Sequence, residues 1–247
     1  MTNDELLEVI AEAAGQGVTE LYLSGKGLTA LPPEIAQLTN LTTLDLSINQ
    51  LTSLSEAITK LSKLKVLLLW GNPMTSLPEA IAQLTNLSKL NLTDNQLTSL
   101  PEAILQLSKL KMLSLSGNQL PSLSEAMAPL PNLTTLDLGS NQLTTLPKAI
   151  AQLSNLTTLD LSYNQLTSLP KDIRKLSKLK KLDLRGNPDL AIPPEILGTE
   201  RSNLGDPATI LNYYFQLQTQ PNRPRHEAEV LLVGGGAVGG TARLRQL

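Results

Sequence analysis

The chain has 247 residues, with 20 Lys and Arg against 22 Asp and Glu, a formal charge of -2, one histidine and no cysteine. So near-neutral a chain lacks the basic field that selects nucleic acid or an anionic membrane surface, and a cysteine-free one has no disulfide framework and suits a reducing, cytoplasmic setting. With no cysteine, and with His226 as its single imidazole, it offers a nucleophilic triad no base, and its acidic start, MTNDELLEVI, is unlike a signal peptide.

Taken in order, the first element predicted is an amphipathic helix from Thr2 or Asn3 to about Ala14, with Leu6, Ile10 and Ala13 or Ala14 on one face and Gly15 and Gly17 ending it. Residues 1–17 are therefore expected to form an N-terminal cap. From residue 18 the chain repeats. Asn49 returns as Asn72, Asn95, Asn118, Asn141, Asn164 and Asn187, always 23 residues on, and a period of that length means a solenoid. Leucines hold fixed offsets around each asparagine, giving LxxLxLxxNxLxxLPxxIxxLxx, the leucine-rich repeat. In LxL the two leucines share one face of a short strand and their neighbours the other, so no unit can bury its own apolar face; stacking does it, with parallel strands about 4.8 Å apart. The asparagine falls where the strand ends, placed to bond loop backbone groups that no ladder satisfies.

The segment that returns from each strand, such as PEAIAQL at residues 78–84, reads as one or two helical turns. Helices need about twice the spacing of strands, so the stack is expected to curve with its strands inside. The expectation is an α/β leucine-rich-repeat solenoid, a horseshoe with a concave parallel sheet and helical caps at both ends. Eight units span residues 18–198. The first carries Lys26 where asparagine is due; Ser55 and Ser124 replace the LP proline, a change expected to be neutral; the eighth has Asp189 in place of leucine, with Leu190 one position late. Asp206 and Pro207 then begin a helix that turns Ile210, Leu211, Tyr214 and Phe215 to one side, which makes residues 199–220 a C-terminal cap.

Residues 221–247 read as a linker followed by the apolar stretch EVLLV and a glycine loop, Gly234 through Gly239 and Gly240 to Thr241. Strand, glycine loop and helix start are the setting of a P-loop, in which backbone N–H groups hold phosphate. Repeats of this LPxxI type followed by HEAEVLLVGGGAVGGT resemble the N-terminal part of a bacterial Roco protein, in which leucine-rich repeats lead into a Ras-like GTPase domain and a dimerising COR domain. The resemblance implies a protein-recognition arm, with the GTPase and COR domains of a longer parent as possible partners. It departs from the family at Gly240, which stands where the phosphate-binding lysine belongs, while Thr241 keeps the hydroxyl. No cofactor is expected, GTP and Mg²⁺ requiring the rest of a GTPase domain; a nucleotide-binding module through this tail is the alternative reading.

For the repeats, the positions beside the leucines are expected to line the concave face and to hold any binding site for a protein partner. Val66, Leu68 and Trp70 alternate along one strand, with Met112 in reach, as an apolar patch. Asp137, Asp160 and Asp183 stack in consecutive units, with Tyr163 and Arg185 beside them, either as an anchor for a cationic partner or as plain LDL consensus; Tyr22 begins the same row. Flanked on both sides, Asp160 is expected to titrate above its usual range unless a cation such as Lys181 or Arg185 intervenes.

Overall fold

The computed structural model describes residues 1–124 and 130–219. The glycine loop with Gly234, Gly239, Gly240 and Thr241 lies outside the described residues. Eight three-residue strands, β1 (Glu20–Tyr22), β2 (Thr43–Asp45), β3 (Val66–Leu68), β4 (Lys89–Asn91), β5 (Met112–Ser114), β6 (Thr135–Asp137), β7 (Thr158–Asp160) and β8 (Lys181–Asp183), form one open parallel sheet in sequence order. Each strand pairs in register with the residues 23 positions on, as Leu44 does with Leu67 and Leu67 with Leu90. The middle residue of a strand is a leucine turned into the core, and its two neighbours face out, which is the phase expected from LxL.

The return segments are single 3₁₀ turns, such as Glu79–Gln83 and Glu102–Gln106, each sending its isoleucine inward. Most begin after a proline with extended backbone. Ser55 takes that place in the second unit and adds a bond, its hydroxyl accepting from Ala57 N–H. In one unit Leu41, Leu44, Leu46, Leu51, Leu54, Ile58 and Leu61 are all buried, and each is worth about 1.5–3 kcal/mol of transfer free energy.

The asparagines tie the units together. Asn95 Nδ2 donates to the carbonyl of Leu92 in its own unit and of Leu69 in the unit before, both at 3.0 Å, while its Oδ1 accepts from Met74 N–H. The same set recurs from Asn49 to Asn187. Lys26 breaks the series because the first unit has no predecessor to supply a carbonyl; its own N–H is instead received by Asn49 Oδ1 at 3.0 Å. Immediately before each of these positions the backbone is left-handed, with φ between 51° and 70° at Gly25, Ile48, Gly71, Asp94, Gly117, Ser140, Tyr163 and Gly186. That turn redirects the chain from the sheet toward the convex side.

The ends are closed by helices. In α1 (Asn3–Gln16), Thr2 and Glu5 form a reciprocal capping box and Leu6, Ile10 and Ala13 are buried. Gly15 lies within this helix, which ends at Gly17 rather than near Ala14, because Gly17 alone of the two adopts the left-handed cap. At the other end α2 (Pro194–Leu197) precedes α3 (Pro207–Thr219), where Asp206 caps Thr209 N–H at 2.8 Å. Tyr214 is buried against the last units and its hydroxyl accepts from Leu169 N–H at 3.0 Å. No helix among the described residues is long and apolar enough to cross a membrane.

Candidate interaction face

The outward residues of the strands form two ordered rows. One runs Thr43, Val66, Lys89, Met112, Thr135, Thr158 and Lys181; the other runs Asp45, Leu68, Asn91, Ser114, Asp137, Asp160 and Asp183. A carboxylate or amide in the second row has a local reason. Its Oδ1 accepts the N–H two residues on, from Asp45 to Ser47, Asn91 to Thr93, Asp137 to Gly139, Asp160 to Ser162 and Asp183 to Arg185, at 2.9 to 3.1 Å.

Val66 and Leu68 are half-buried on this face and Trp70, two residues past the end of the same strand, is 37% exposed. Met112 is two strands away, separated from Val66 by Lys89, so the patch has a cation in its middle and is not continuous. Ile48, at its left-handed turn, is 51% exposed and donates its N–H to Trp70 O at 2.7 Å, which extends the apolar area to the edge of the sheet. Sequence spacing gave no sign of Ile48, since the consensus assigns nothing to that position. Beneath this area the Ser47 hydroxyl is buried without a hydrogen-bond partner among the described residues. Tyr22 stands apart at the first strand, its hydroxyl donating to Glu20 at 2.7 Å, a bond that raises the phenol above its ordinary range.

The aspartate run is occupied from within. Arg201, in the loop between α2 and α3, reaches back to Asp160 Oδ2 at 2.7 Å and comes within 4.0 Å of Asp137. Arg185 engages both carboxylate oxygens of Asp183, Nε donating at 2.9 Å, and gives a third N–H to Thr199 O. A cation therefore does intervene at Asp160, and it is Arg201 rather than Lys181 or Arg185. Asp183 is 2% exposed. The carboxyl held above its usual range is Asp137, mainly by burial; the bond from Gly139 opposes the shift, Asp160 adds to it, and Arg201 offsets part. Tyr163 is exposed with its ring over Gly186, facing the loop edge. Arg201 was not legible beforehand, because it sits outside the repeat and 41 residues from its partner.

A parallel-strand solenoid with an asparagine ladder and an outward row on every strand defines the class. The leucine rich repeat model matches residues 16–74, 62–120, 85–143 and 131–188, more than half of the chain, which belongs to the leucine-rich-repeat family. No curated protein matches. Among solved structures the chain is similar to a leucine-rich-repeat protein of Leptospira interrogans, at 36% identity and a TM-score of 0.62, over 76% of this chain and 60% of that one. It is also similar to the ectodomain of the plant membrane receptor kinase GASSHO1/SCHENGEN3 from Arabidopsis thaliana, solved with CASPARIAN STRIP INTEGRITY FACTOR 2 (31%, TM-score 0.56, 69% of this chain and 24% of that one). A TDR receptor is a third (30%, TM-score 0.59, 64% and 28%). The chain thus spans less than two thirds of the length of each.

Proposed function

We propose that the chain is a protein-interaction scaffold, a binding module rather than an enzyme, whose concave sheet takes a protein partner around Trp70. The observation that carries this reading is an indole partly open to solvent just past a strand whose outward residues, Val66 and Leu68, are also apolar, next to exposed Ile48. Tryptophan is over-represented among residues that dominate interfaces, and solenoids bind on such a surface. A receptor ectodomain similar to this chain, solved with a factor bound to it, lends the same support. In the fuller form of the proposal the scaffold is the recognition arm of a cytoplasmic Roco-type GTPase, with the GTPase and COR domains of the parent as further partners; the glycine loop from Gly234 to Thr241 is the sequence feature behind that step.

The test is selection of a random dodecapeptide library displayed on phage against the full chain, repeated with Trp70→Ala. The variant is expected to unfold at nearly the wild-type temperature and to weaken the selected peptides by at least ~2 kcal/mol, about 30-fold. Equal binding by the variant would refute the site. Because Trp70 is the single tryptophan, its emission reports on that site alone and is expected to shift when a peptide binds.

A further inference from the structure

The segments that lead into β2, β3, β4 and β5 read TNLTT, SKLKV, TNLSK and SKLKM, at residues 39–43, 62–66, 85–89 and 108–112. Between them they hold Lys63, Lys65, Lys89, Lys109 and Lys111 and not one acid. Lys63 Nζ donates to Asn40 Oδ1 at 2.8 Å and Lys109 Nζ to Asn86 Oδ1 at 2.6 Å. A neutral amide fixes where the ammonium sits without cancelling its charge. Lys65 and Lys111 are exposed, and Lys89 is half-buried in register between Val66 and Met112. Among the described residues the ion pairs involve Lys175, Arg185 and Arg201, and none of these five lysines takes part in one. Adjacent strands lie about 4.8 Å apart, so the five cations crowd one edge of three strands, roughly 10 Å across.

Of the carboxylates of this stretch, Asp45 and Asp94 stand at the other ends of the strands, and Glu56, Glu79 and Glu102 lie on the 3₁₀ return turns. The apolar row of Val66, Leu68 and Trp70 therefore runs from a cationic edge toward a sparser acidic one. A purely charged polyanion would gain nothing from that row and would meet Asp45 and Asp94 across it. A neutral apolar segment would leave five uncompensated ammonium groups beside it. Opposite charge at the edge steers encounter and fixes orientation, while an aromatic or aliphatic anchor supplies the desolvated contact. We infer that the patch around Trp70 binds an acidic protein segment with an apolar centre, one or two Leu, Phe or Trp side chains flanked by Asp and Glu, its carboxylates lying on Lys63, Lys65, Lys89, Lys109 and Lys111. This deepens the scaffold reading and rests on it.

The same displayed library tests the inference on the full chain, on Lys65→Glu/Lys111→Glu, and on Lys178→Glu/Lys180→Glu, whose lysines lead into β8 and serve as a control. Peptides selected by the wild type are expected to be enriched in Asp and Glu around a Leu, Phe or Trp, to bind at least tenfold more weakly to the first variant and unchanged to the second, and to weaken with added salt. Neutral or basic winners, no enrichment at all, or equal binding to the first variant overturns the inference. If binding needs Trp70 but not the lysines, the scaffold reading stands and this inference alone falls; if it needs neither, both fall. A fluorescent single-stranded oligonucleotide is run beside the peptides. Lysine-dependent binding of the oligonucleotide with no acidic peptide selected assigns the edge to nucleic acid and likewise overturns the inference.

Discussion

The asparagine ladder makes a prediction about how its members cooperate. Leu92 O accepts from two amides, Asn95 of its own unit at 3.0 Å and Asn118 of the next at 2.9 Å, and Leu115 O is shared in the same way by Asn118 and Asn141. Removing one amide by Asn118→Ala leaves both carbonyls with their other donor, and orphans only Leu97 N–H, which Asn118 Oδ1 had received at 2.9 Å. One orphaned buried donor costs about 1–3 kcal/mol and two lost but backed-up bonds about 0.5–1.5 kcal/mol each, so the single variant is expected to lose about 2–6 kcal/mol. Asn95→Ala should cost a similar amount. The double variant Asn95→Ala/Asn118→Ala strips Leu92 O of both donors, and that second orphan is expected to add about 1–3 kcal/mol beyond the sum of the singles. Asn49 and Asn118 share no carbonyl, so Asn49→Ala/Asn118→Ala should be additive within about 0.5 kcal/mol. Urea unfolding followed by circular dichroism measures the wild type, the single variants Asn49→Ala, Asn95→Ala and Asn118→Ala, and the two doubles. Additivity in the neighbouring pair, or equal coupling in the distant one, would refute the shared-acceptor account.

Two further outcomes follow from the same backbone and the same face. A Cβ at Gly186 would stand 2.6 Å from Tyr163 Cδ1 and 3.0 Å from Tyr163 Cα at a φ of +70°, so Gly186→Ala is expected to cost about 1–3 kcal/mol, and Tyr163→Ala in the same chain should restore only the side-chain part, as read by thermal unfolding. Asp137 is raised in the folded chain, so the native state holds its proton to higher pH than the unfolded state, and stability falls as pH climbs through that window; Asp137→Asn, which keeps an acceptor for Gly139 N–H, is expected to be more stable than wild type near pH 7 and to lose that advantage below the ordinary carboxylate range. Denaturant titrations at pH 3 and pH 7 that show an equal gap would contradict that sign.

The fold was legible because its determinants are periodic. Leucine at two positions of every strand fixes which side is core, and a one-residue error in phase would have placed Leu44, Leu67 and Leu90 in solvent. The asparagines were legible for the same reason, although the sharing of each carbonyl between two amides was not, since sequence shows spacing but no acceptor. What escaped was aperiodic. Arg201 lies beyond the repeat, in a loop whose course depends on how α2 and α3 pack, and it pairs with Asp160 and comes within 4.0 Å of Asp137 from inside the chain. Ile48 was hidden because the consensus leaves its position blank, while the backbone there demands a conformation that β-branched residues rarely take.

That left-handed position also divides the units into two kinds. Units with a small or large side chain there, Ile48, Asp94, Ser140 and Tyr163, begin with Asn40, Asn86, Asn132 and Asn155; units with Gly71, Gly117 and Gly186 begin with Lys63, Lys109 and Lys178. Each kind completes the other at a junction. The lysine of the second reaches the asparagine of the first, from Lys63 to Asn40, Lys109 to Asn86 and Lys178 to Asn155. The side chain of the first leans on the glycine of the second, as Ile48 does on Gly71, Asp94 on Gly117 and Tyr163 on Gly186. Six of these seven units therefore form three pairs, with the unit of Asn132 and Ser140 standing alone between the second and the third, and removing or adding a whole pair keeps every such junction matched. Excising the single unit between two lysine-bearing ones would instead set lysine beside lysine, with no amide to receive it.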